Sequence, residues 1–278
     1  MKNARRYLRR ELAPGLAGVF FGCLLLFPVF YGVMGAFKTP AEFSAYPPTV
    51  FPASFRNLEN FRTVFTQVPM ARYFLNSLIT AALTSAVRLA VAALAAYAFA
   101  FYRFRGEKTL FFLILGTMML PADTLVITNY QTVSRFGLLD TYLGICVVSF
   151  VSASQMFMLR QHFKAAPTAV REAAQLDGCG DLRFAFSVLL PMSLPLVLIL
   201  FVQSFVTQWN AYLWPLLVTN SNNMRTVQVG VTMLTSIEGT NYETVLAGAT
   251  VAMLPAALLF AALRKSLTRT MSQGAVIG

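Results

Sequence analysis

Two charged side chains lie deep inside apolar runs of the sequence, and they are the first candidates for chemistry. Arg88 precedes Phe101, the end of its run, by 13 residues, and Asp123 follows Thr109, the start of its run, by 14 residues. In a helix these separations correspond to about 20 Å and about 21 Å, so the two charges lie at similar depths. Placing a charge at such a depth costs at least about 2.5–3.5 kcal/mol, which makes both residues functional candidates.

Three interpretations of these charges are open from the sequence. Arg88 and Asp123 can form a buried ion pair between neighbouring helices. Arg88 can instead face a cavity, where its charge would favour an anionic solute. Asp123 follows Pro121 by two residues, and its carboxylate can simply cap the start of a helix after a break.

An aromatic stretch, Trp209–Leu217 (WNAYLWPLL), supplies two further candidate functional residues. Aromatic side chains near the end of a membrane span usually anchor it at the interface. Trp209 and the polar Asn210 beside it can instead line an outer gate.

The sequence offers no constellation for catalysis or metal binding. Its one histidine, His162, has no partner motif, and the three cysteines are far apart in the chain (Cys23, Cys146 and Cys179). Neither a disulfide framework nor a metal-ligand spacing results, and no glycine-rich phosphate loop is present. We expect a chain without catalytic residues of its own, without a metal and without a bound cofactor.

The composition indicates an all-α integral membrane protein. Of the 278 residues, 57% are hydrophobic and 12% are charged, whereas about 25% of residues are charged in a soluble domain. Apolar runs of about 20 residues are long enough to cross a bilayer as helices. Six runs qualify: Leu16–Phe37, Tyr73–Phe101, Thr109–Asn129, Thr141–Leu159, Met192–Leu213 and Thr244–Leu263.

The distribution of basic residues predicts which side of the membrane each loop occupies. With the N-terminus in the cytoplasm, 15 of the 22 Lys and Arg residues lie on the cytoplasmic side and 6 lie outside. This bias follows the positive-inside rule and places both termini in the cytoplasm. The predicted organisation is a cytoplasmic N-terminus over residues 1–15, a six-helix transmembrane domain over 16–263 and a cytoplasmic tail over 264–278.

The longest polar segment on the predicted cytoplasmic side is residues 160–190, between the fourth and fifth spans. Pro167 suits the first turn of a helix, and Val170, Ala173 and Ala174 follow at the spacing of one small apolar face. Gly178 suits a helix end with positive φ, and Asp181 can cap a second short helix. The segment predicts a helix, a tight turn and another helix just inside the membrane. A plain amphipathic loop on the lipid headgroups is the alternative.

The same segment carries a family resemblance. Glu172–Gly178 (EAAQLDG), followed by Leu190, Pro191 and Pro195, resembles the EAA loop of the permease subunits of ABC importers. Three further stretches resemble the carbohydrate-uptake, maltose-permease-like branch: YAFAFYRFRG (97–106), WNAYLWPLL (209–217) and the terminal GAVIG (274–278). Within that branch, RQHF (160–163) with Pro167 and EAAQLDG, together with WNAYLWPLL, most resembles the sn-glycerol-3-phosphate permeases.

The resemblance implies a mechanism and a set of partners. A second, homologous permease pairs with this chain in the plasma membrane of a bacterium or archaeon, and an extracytoplasmic solute-binding protein delivers a sugar or glycerol 3-phosphate. The EAA helix docks on an ABC ATPase dimer, which carries ATP and Mg²⁺. Lipid is a partner and nucleic acid is not. The resemblance implies a role for each residue of the motif. Glu172 makes a polar contact with the ATPase, and Ala173 and Ala174 allow close packing. Gly178 forms the turn, and Asp177 is common in this branch of the family.

An ion-coupled secondary transporter is the alternative function. Such proteins need acidic side chains within their spans and often contain inverted repeats. Asp123 is the one acid within a predicted span of this sequence, and no repeat is visible. The two functions differ in their partners, since the importer alone requires an ATPase bound to the loop that contains Glu172.

Overall fold

The fold was analysed in a computed structural model. It describes the backbone of residues 2–235 and 241–274, and the side chains of these residues except 2–13, 122–123 and 263–274. The described chain contains helices and connecting turns, and no strand occurs in these ranges. The helices are α1 Lys2–Gly35, α2 Pro40–Phe43, α3 Glu59–Gln67, α4 Met70–Phe101, α5 Glu107–Gly116, α6 Val126–Arg135, α7 Tyr142–Cys146, α8 Ala153–Lys164, α9 Thr168–Leu176, α10 Asp181–Phe184, α11 Leu190–Met192, α12 Leu194–Trp209, α13 Leu213–Val218, α14 Val227–Met233 and α15 Tyr242–Gly274.

Three of these helices contain a segment long and apolar enough to cross a membrane. The segments are Pro14–Gly35, Met70–Phe101 and Tyr242–Ala262. Two bent helix pairs also qualify when each is taken as one span. Tyr142–Ser149 and Ala153–Lys164 meet at 55°, and Asp181–Met192 and Leu194–Trp209 meet at 84°. The described structure therefore has three to five candidate spans, and the expectation of an all-α membrane protein is confirmed.

The third predicted span, Thr109–Asn129, is not one continuous helix. Helix α5 ends at Gly116, a 3₁₀ turn follows, and Leu120 is extended (φ −82°, ψ 124°) immediately before Pro121. A residue before proline is driven out of the helical region, and proline cannot donate a backbone hydrogen bond. At the end of α5 the Thr117 hydroxyl donates to Ile114 O at 2.6 Å, beside the Thr117 N–H that reaches the same carbonyl.

The last helix extends well beyond the predicted end of the sixth span. Helix α15 continues from Tyr242 to Gly274, past Leu263 and through most of the predicted tail. The boundary at 263 therefore marks a change of composition rather than the end of a helix. Of the GAVIG motif, Gly274 belongs to this helix, and residues 275–278 lie outside the described residues.

The described chain forms two compact units, which are considered separately. One comprises Met1–Met70 and Gly230–Leu254, and the other comprises Ala71–Val229 and Pro255–Gly278. In the first unit the loop after α1 is fixed by buried polar groups. The amide of Asn60 donates to Ala36 O and to Lys38 O, both at 2.8 Å. The Lys38 ammonium donates to Thr49 O, so this buried cation is satisfied by a backbone carbonyl.

The larger unit contains two apolar cores. In the first, small residues of α4 such as Ala92 and Ala96 lie against Met156 and Leu159 of α8 and against Leu200 of α12. Small side chains let helix backbones approach closely, which is a common basis for helix packing in membranes. The second core contains Val133, Ile145, Cys146 and Val218.

One glycine in the second core is required by its neighbour. A Cβ atom placed on Gly144 of α7 would lie 2.0 Å from the carbonyl oxygen of Leu138. The Thr141 hydroxyl donates to the same carbonyl at 2.7 Å and accepts from the Gly144 N–H at 3.0 Å. The start of α7 is thus closed against the preceding turn, and there is no space for a side chain at position 144.

We predict that Gly144→Ala destabilises the purified protein, because forcing a methyl group against a backbone carbonyl typically costs about 1–3 kcal/mol. Gly116→Ala is the matched control, since a Cβ there meets nothing within 4 Å and the backbone is helical (φ −58°, ψ −30°). Thermal unfolding in detergent should show a lower midpoint for Gly144→Ala alone. Equal midpoints for the two variants would contradict this account of α7.

Candidate functional site

The candidate coupling segment contains a helix that ends in a left-handed turn. Helix α9 runs from Thr168 to Leu176, directly after Pro167. Gly178 has φ 72°, and the Cys179 N–H donates to Ala174 O at 2.9 Å. This closure satisfies carbonyls that a helix end leaves unpaired. The helix and the turn lie where the sequence predicts them, and the chain then enters α10 at Asp181.

Helix α9 has an inner face and an outer face. Val170 and Ala174 are partly buried against the main core. Glu172 and Ala173 are exposed, and Leu176 is exposed to 89%. The sequence grouped Val170, Ala173 and Ala174 as one small apolar face, but the structure divides them. Ala173 lies three residues from Leu176, so these two share the outer face with Glu172.

Asp181 joins the loop to the end of α4. Its carboxylate accepts hydrogen bonds from the hydroxyls of Tyr97 at 3.1 Å and Tyr102 at 2.6 Å. The prediction that Asp181 caps α10 is wrong, because Gly180 is the N-cap residue and no side chain caps this helix. The carboxylate accepts from the two tyrosine hydroxyls and not from the backbone N–H groups at the start of α10. The hydrogen bond that the Tyr102 hydroxyl donates to this carboxylate raises the pKa of Tyr102 above its usual value.

Arg171 adds a second connection between α9 and α4. Its guanidinium lies over the ring of Phe101, 4.8 Å from the ring centre, and Nη2 lies 3.9 Å from Asp181 Oδ1. Both members of this ion pair are partly exposed, so the pair itself contributes little to stability. The ring contact and the carboxylate together fix the direction in which α9 leaves the core.

Arg88 donates a hydrogen bond to the backbone where the chain bends between α7 and α8. Its Nε donates to Ser149 O at 2.5 Å, and Ser149 ends the 3₁₀ turn that precedes the 55° bend. A bend in a membrane helix leaves carbonyls without helical partners, and a cation near such a helix end stabilises them. Neither interpretation of Arg88 from the sequence included this partner. The side chain of Asp123 lies outside the described residues, so the predicted ion pair stays a prediction.

Trp209 and Asn210 occupy different environments. Trp209 is exposed to 1% and packs in the core, stacked on Phe205 with ring centres 6.0 Å apart and edge-on to Phe74 at 5.2 Å. Asn210 is exposed at the end of α12, and its Oδ1 accepts from Gln228 Nε2 at 3.2 Å. The structure therefore offers Asn210 to solvent or solute and encloses Trp209.

Sequence reasoning missed a cavity beside these residues. It has a volume of about 190 Å³, and its lining includes three uncharged polar side chains and an indole, those of Asn129, Ser149, Gln208 and Trp214, beside four apolar residues. The available signal was the glutamine at position 208 within a predicted span, since a buried polar group needs a hydrogen-bond partner.

Taken together, these features define a class: a multi-pass helical membrane protein with an anchored helical loop and with polar groups at the breaks of its spans. Comparison with known proteins agrees with a multi-pass membrane protein. Residues 88–273 match the family model described as "Binding-protein-dependent transport system inner membrane component", and this chain belongs to that family. It is a membrane-spanning permease subunit of an ATP-driven importer, not an enzyme, and ATP hydrolysis belongs to a separate subunit. Family membership favours this function over the ion-coupled secondary transporter.

Individual relatives support the assignment. The chain is 33% identical over 248 residues to the lactose transport system permease protein of Rhizobium radiobacter, covering 89% of this chain and 90% of that one. It is 32% identical over 243 residues to the sn-glycerol-3-phosphate transport system permease protein of Pectobacterium atrosepticum, covering 84% and 86%. A solved bacterial ABC transporter involved in the import of the acidic polysaccharide alginate has the same fold, with a TM-score of 0.80 at 20% identity over 94% and 97% of the two chains.

We predict that Asp181→Ala loosens the loop from α4, because it leaves the buried Tyr97 hydroxyl without its acceptor, at a cost of about 1–3 kcal/mol. Asp177→Ala is the matched control, since Asp177 is an exposed carboxylate four residues earlier. Limited proteolysis of the purified permease should cleave residues 160–190 faster in Asp181→Ala alone. Unchanged cleavage in Asp181→Ala would show that the tyrosines do not hold the loop.

Proposed function

We propose that this permease imports a sugar or a sugar-like solute and that residues 160–190 couple it to an ABC ATPase dimer. The observation that carries the proposal is the outer face of α9, where an exposed leucine and a carboxylate project from a helix anchored to the core. An apolar side chain exposed to 89% beside a carboxylate, on a helix anchored to the core, supports the proposal that this face docks on another protein.

The proposal includes the topology. Six spans, with both termini in the cytoplasm, place residues 1–15, 160–190 and 264–278 on the ATPase side of the membrane and 16–263 within the transmembrane domain. The third span then crosses as α5 and α6 with a break between them. Breaks of this kind are tolerated where the backbone faces protein or a cavity rather than lipid.

Each proposed coupling residue has a separate part in docking. Glu172 supplies a polar contact, and Ala173 lets the ATPase surface approach the helix backbone. Ala174 fits α9 against its own core, and Gly178 makes the turn that no side chain could adopt without strain. Asp177 adds a second exposed carboxylate, and Leu176 is added to the set on the strength of its exposure.

The proposed partners are a second, homologous permease, two ATPase subunits that bind ATP and Mg²⁺, and an extracytoplasmic solute-binding protein. The family description names binding-protein-dependent transport, which supports the last of these. Lipid surrounds the spans, and no nucleic acid is involved. A bacterial plasma membrane is the proposed location.

The relatives transport chemically different solutes, so the substrate is proposed as a class. The names of two relatives specify lactose and sn-glycerol 3-phosphate, and both solutes are rich in hydroxyl groups. For the translocation path we retain Arg88, Asp123, Trp209 and Asn210 as proposed residues. Asn210 supplies accessible polar atoms, whereas Arg88 and Trp209 act by supporting the walls.

We predict that Leu176→Asp abolishes coupling, because removing an apolar anchor at the centre of an interface costs about 2 kcal/mol or more. ATPase co-purification and solute uptake should fall at least tenfold. Leu58→Asp is the matched control, since Leu58 is also an exposed leucine and lies on the proposed opposite side of the membrane. Retention of ATPase by Leu176→Asp at the level of the control would refute the proposed docking face.

We predict that Arg88→Gln keeps most of the uptake that Arg88→Ala loses. The glutamine Nε2 occupies the same position along the side chain as the arginine Nε, so it can donate to Ser149 O without a positive charge. Uptake of the importer's own solute should be measured for both variants in reconstituted vesicles. Equal loss in the two variants would mean that the charge itself is needed, as a role in attracting an anionic solute requires.

A further inference from the structure

Gln208 is a largely buried polar residue whose side chain lines a cavity. It is exposed to 7% near the end of α12, and in sequence it lies between Phe205 and Trp209, whose rings stack on each other. Its amide forms no hydrogen bond with any described residue and instead lines the cavity of about 190 Å³. The residue is largely buried, but its amide atoms are not among the fully enclosed unpaired polar atoms of the described side chains, so a ligand in the cavity can reach them.

The walls of this cavity are held in place by other parts of the chain. Arg88 Nε donates to Ser149 O and fixes the bend that bears the Ser149 side chain. Trp214 Nε1 donates to Gly144 O at 3.2 Å, which fixes the indole ring. The Ser149 backbone and the Trp214 indole are therefore held in place before any ligand enters, and such preorganisation lowers the cost of binding.

The chemistry of the lining selects a class of ligand. Asn129 and Gln208 each offer amide donors and an acceptor, and Ser149 offers a hydroxyl. The remaining lining is apolar: Val126, Val148, Ala211, Leu213 and the indole of Trp214. None of these eight residues carries a charge. Hydroxyl groups around a ring with apolar faces match this surface, whereas a phosphate would find no cation in the lining itself, because the Arg88 guanidinium donates to the Ser149 carbonyl from outside it.

The size and depth of the cavity agree with that class. Its volume equals the share of about six water molecules in the liquid, which is enough for one sugar ring rather than a whole oligosaccharide. Ser149 lies eight residues inside the predicted fourth span and Gln208 five residues inside the fifth. These separations correspond to about 12 Å and about 8 Å, which place the cavity in the outer half of the membrane.

We propose that this cavity is a subsite on the translocation path that holds one neutral sugar ring, with Gln208 as its main hydrogen-bonding residue. This inference rests on the proposed function and makes it more specific, since it favours neutral sugars over phosphate esters as the transported solute.

The test uses the complete importer, with both permeases, the ATPase dimer and the binding protein reconstituted in vesicles. Uptake of lactose, maltose, an arabino-oligosaccharide and glycerol 3-phosphate is measured for wild type, Gln208→Leu and Gln208→Glu. Gln203→Leu is the matched control, because Gln203 is an exposed glutamine on the same helix. Neutral-sugar uptake should fall at least tenfold in Gln208→Leu and stay within about threefold in Gln208→Glu, which retains acceptors for hydroxyl groups.

A role in packing alone predicts the reverse order, because leucine suits a buried apolar site and a buried carboxylate does not. That reverse order would overturn the subsite, as would equal uptake in Gln208→Leu and Gln203→Leu. Uptake of glycerol 3-phosphate with none of the neutral sugars would also overturn it. ATPase co-purification distinguishes failure of the subsite from failure of the proposed function. If the wild-type permease does not retain the ATPase, the proposed importer function is contradicted. If the ATPase is retained and the uptake results above still go against Gln208, only the subsite is contradicted.

Discussion

The carboxylate of Asp181 is the group on which the position of residues 160–190, the proposed coupling loop, depends. It accepts from two tyrosines near the end of the 32-residue helix α4, and hydrogen bonds to a charged group are about twice as strong as neutral ones. Arg171 reaches the same carboxylate and the ring of Phe101 from α9. A force applied to the outer face of α9 is therefore transmitted to α4 rather than absorbed by a flexible loop.

The breaks in the spans are the second constraint. Each interruption leaves backbone groups that lipid cannot satisfy. At the break before α8, the Arg88 Nε donates to the carbonyl of Ser149. Breaks that are satisfied in this way can place polar side chains within the membrane, and the cavity with Gln208 lies against one of them. In many transporters solute sites are built at such discontinuities.

Much of the fold could be predicted from hydropathy, because uninterrupted apolar runs give α1, α4 and α15. The third span could not, since a single proline at position 121 redirects the chain within an apolar run. Helix α9 and the turn at Gly178 were predictable because their signals are local. The inner and outer faces of α9 were not, because three small residues at helical spacing do not show which of them meets the core.

Partners distant in sequence account for the other differences. Asp181 has the position and the chemistry of a helix cap, but its tyrosines lie 79 and 84 residues earlier. The partner of Arg88 is a backbone carbonyl 61 residues away, and a carbonyl has no signature in sequence. Gln208 was overlooked beside the more conspicuous Trp209, although the tryptophan is enclosed and the glutamine faces open space.

The most direct test of the account is disulfide cross-linking between α9 and the ATPase in the assembled importer. Single cysteines would be introduced at Leu176 and at Ala174 in a cysteine-free background and paired with cysteines along the ATPase cleft. We expect efficient cross-linking from position 176 and none from position 174, because the first lies on the outer face and the second packs inward. Cross-linking from position 174 alone, or from neither position, would contradict the proposal that α9 docks through its outer face.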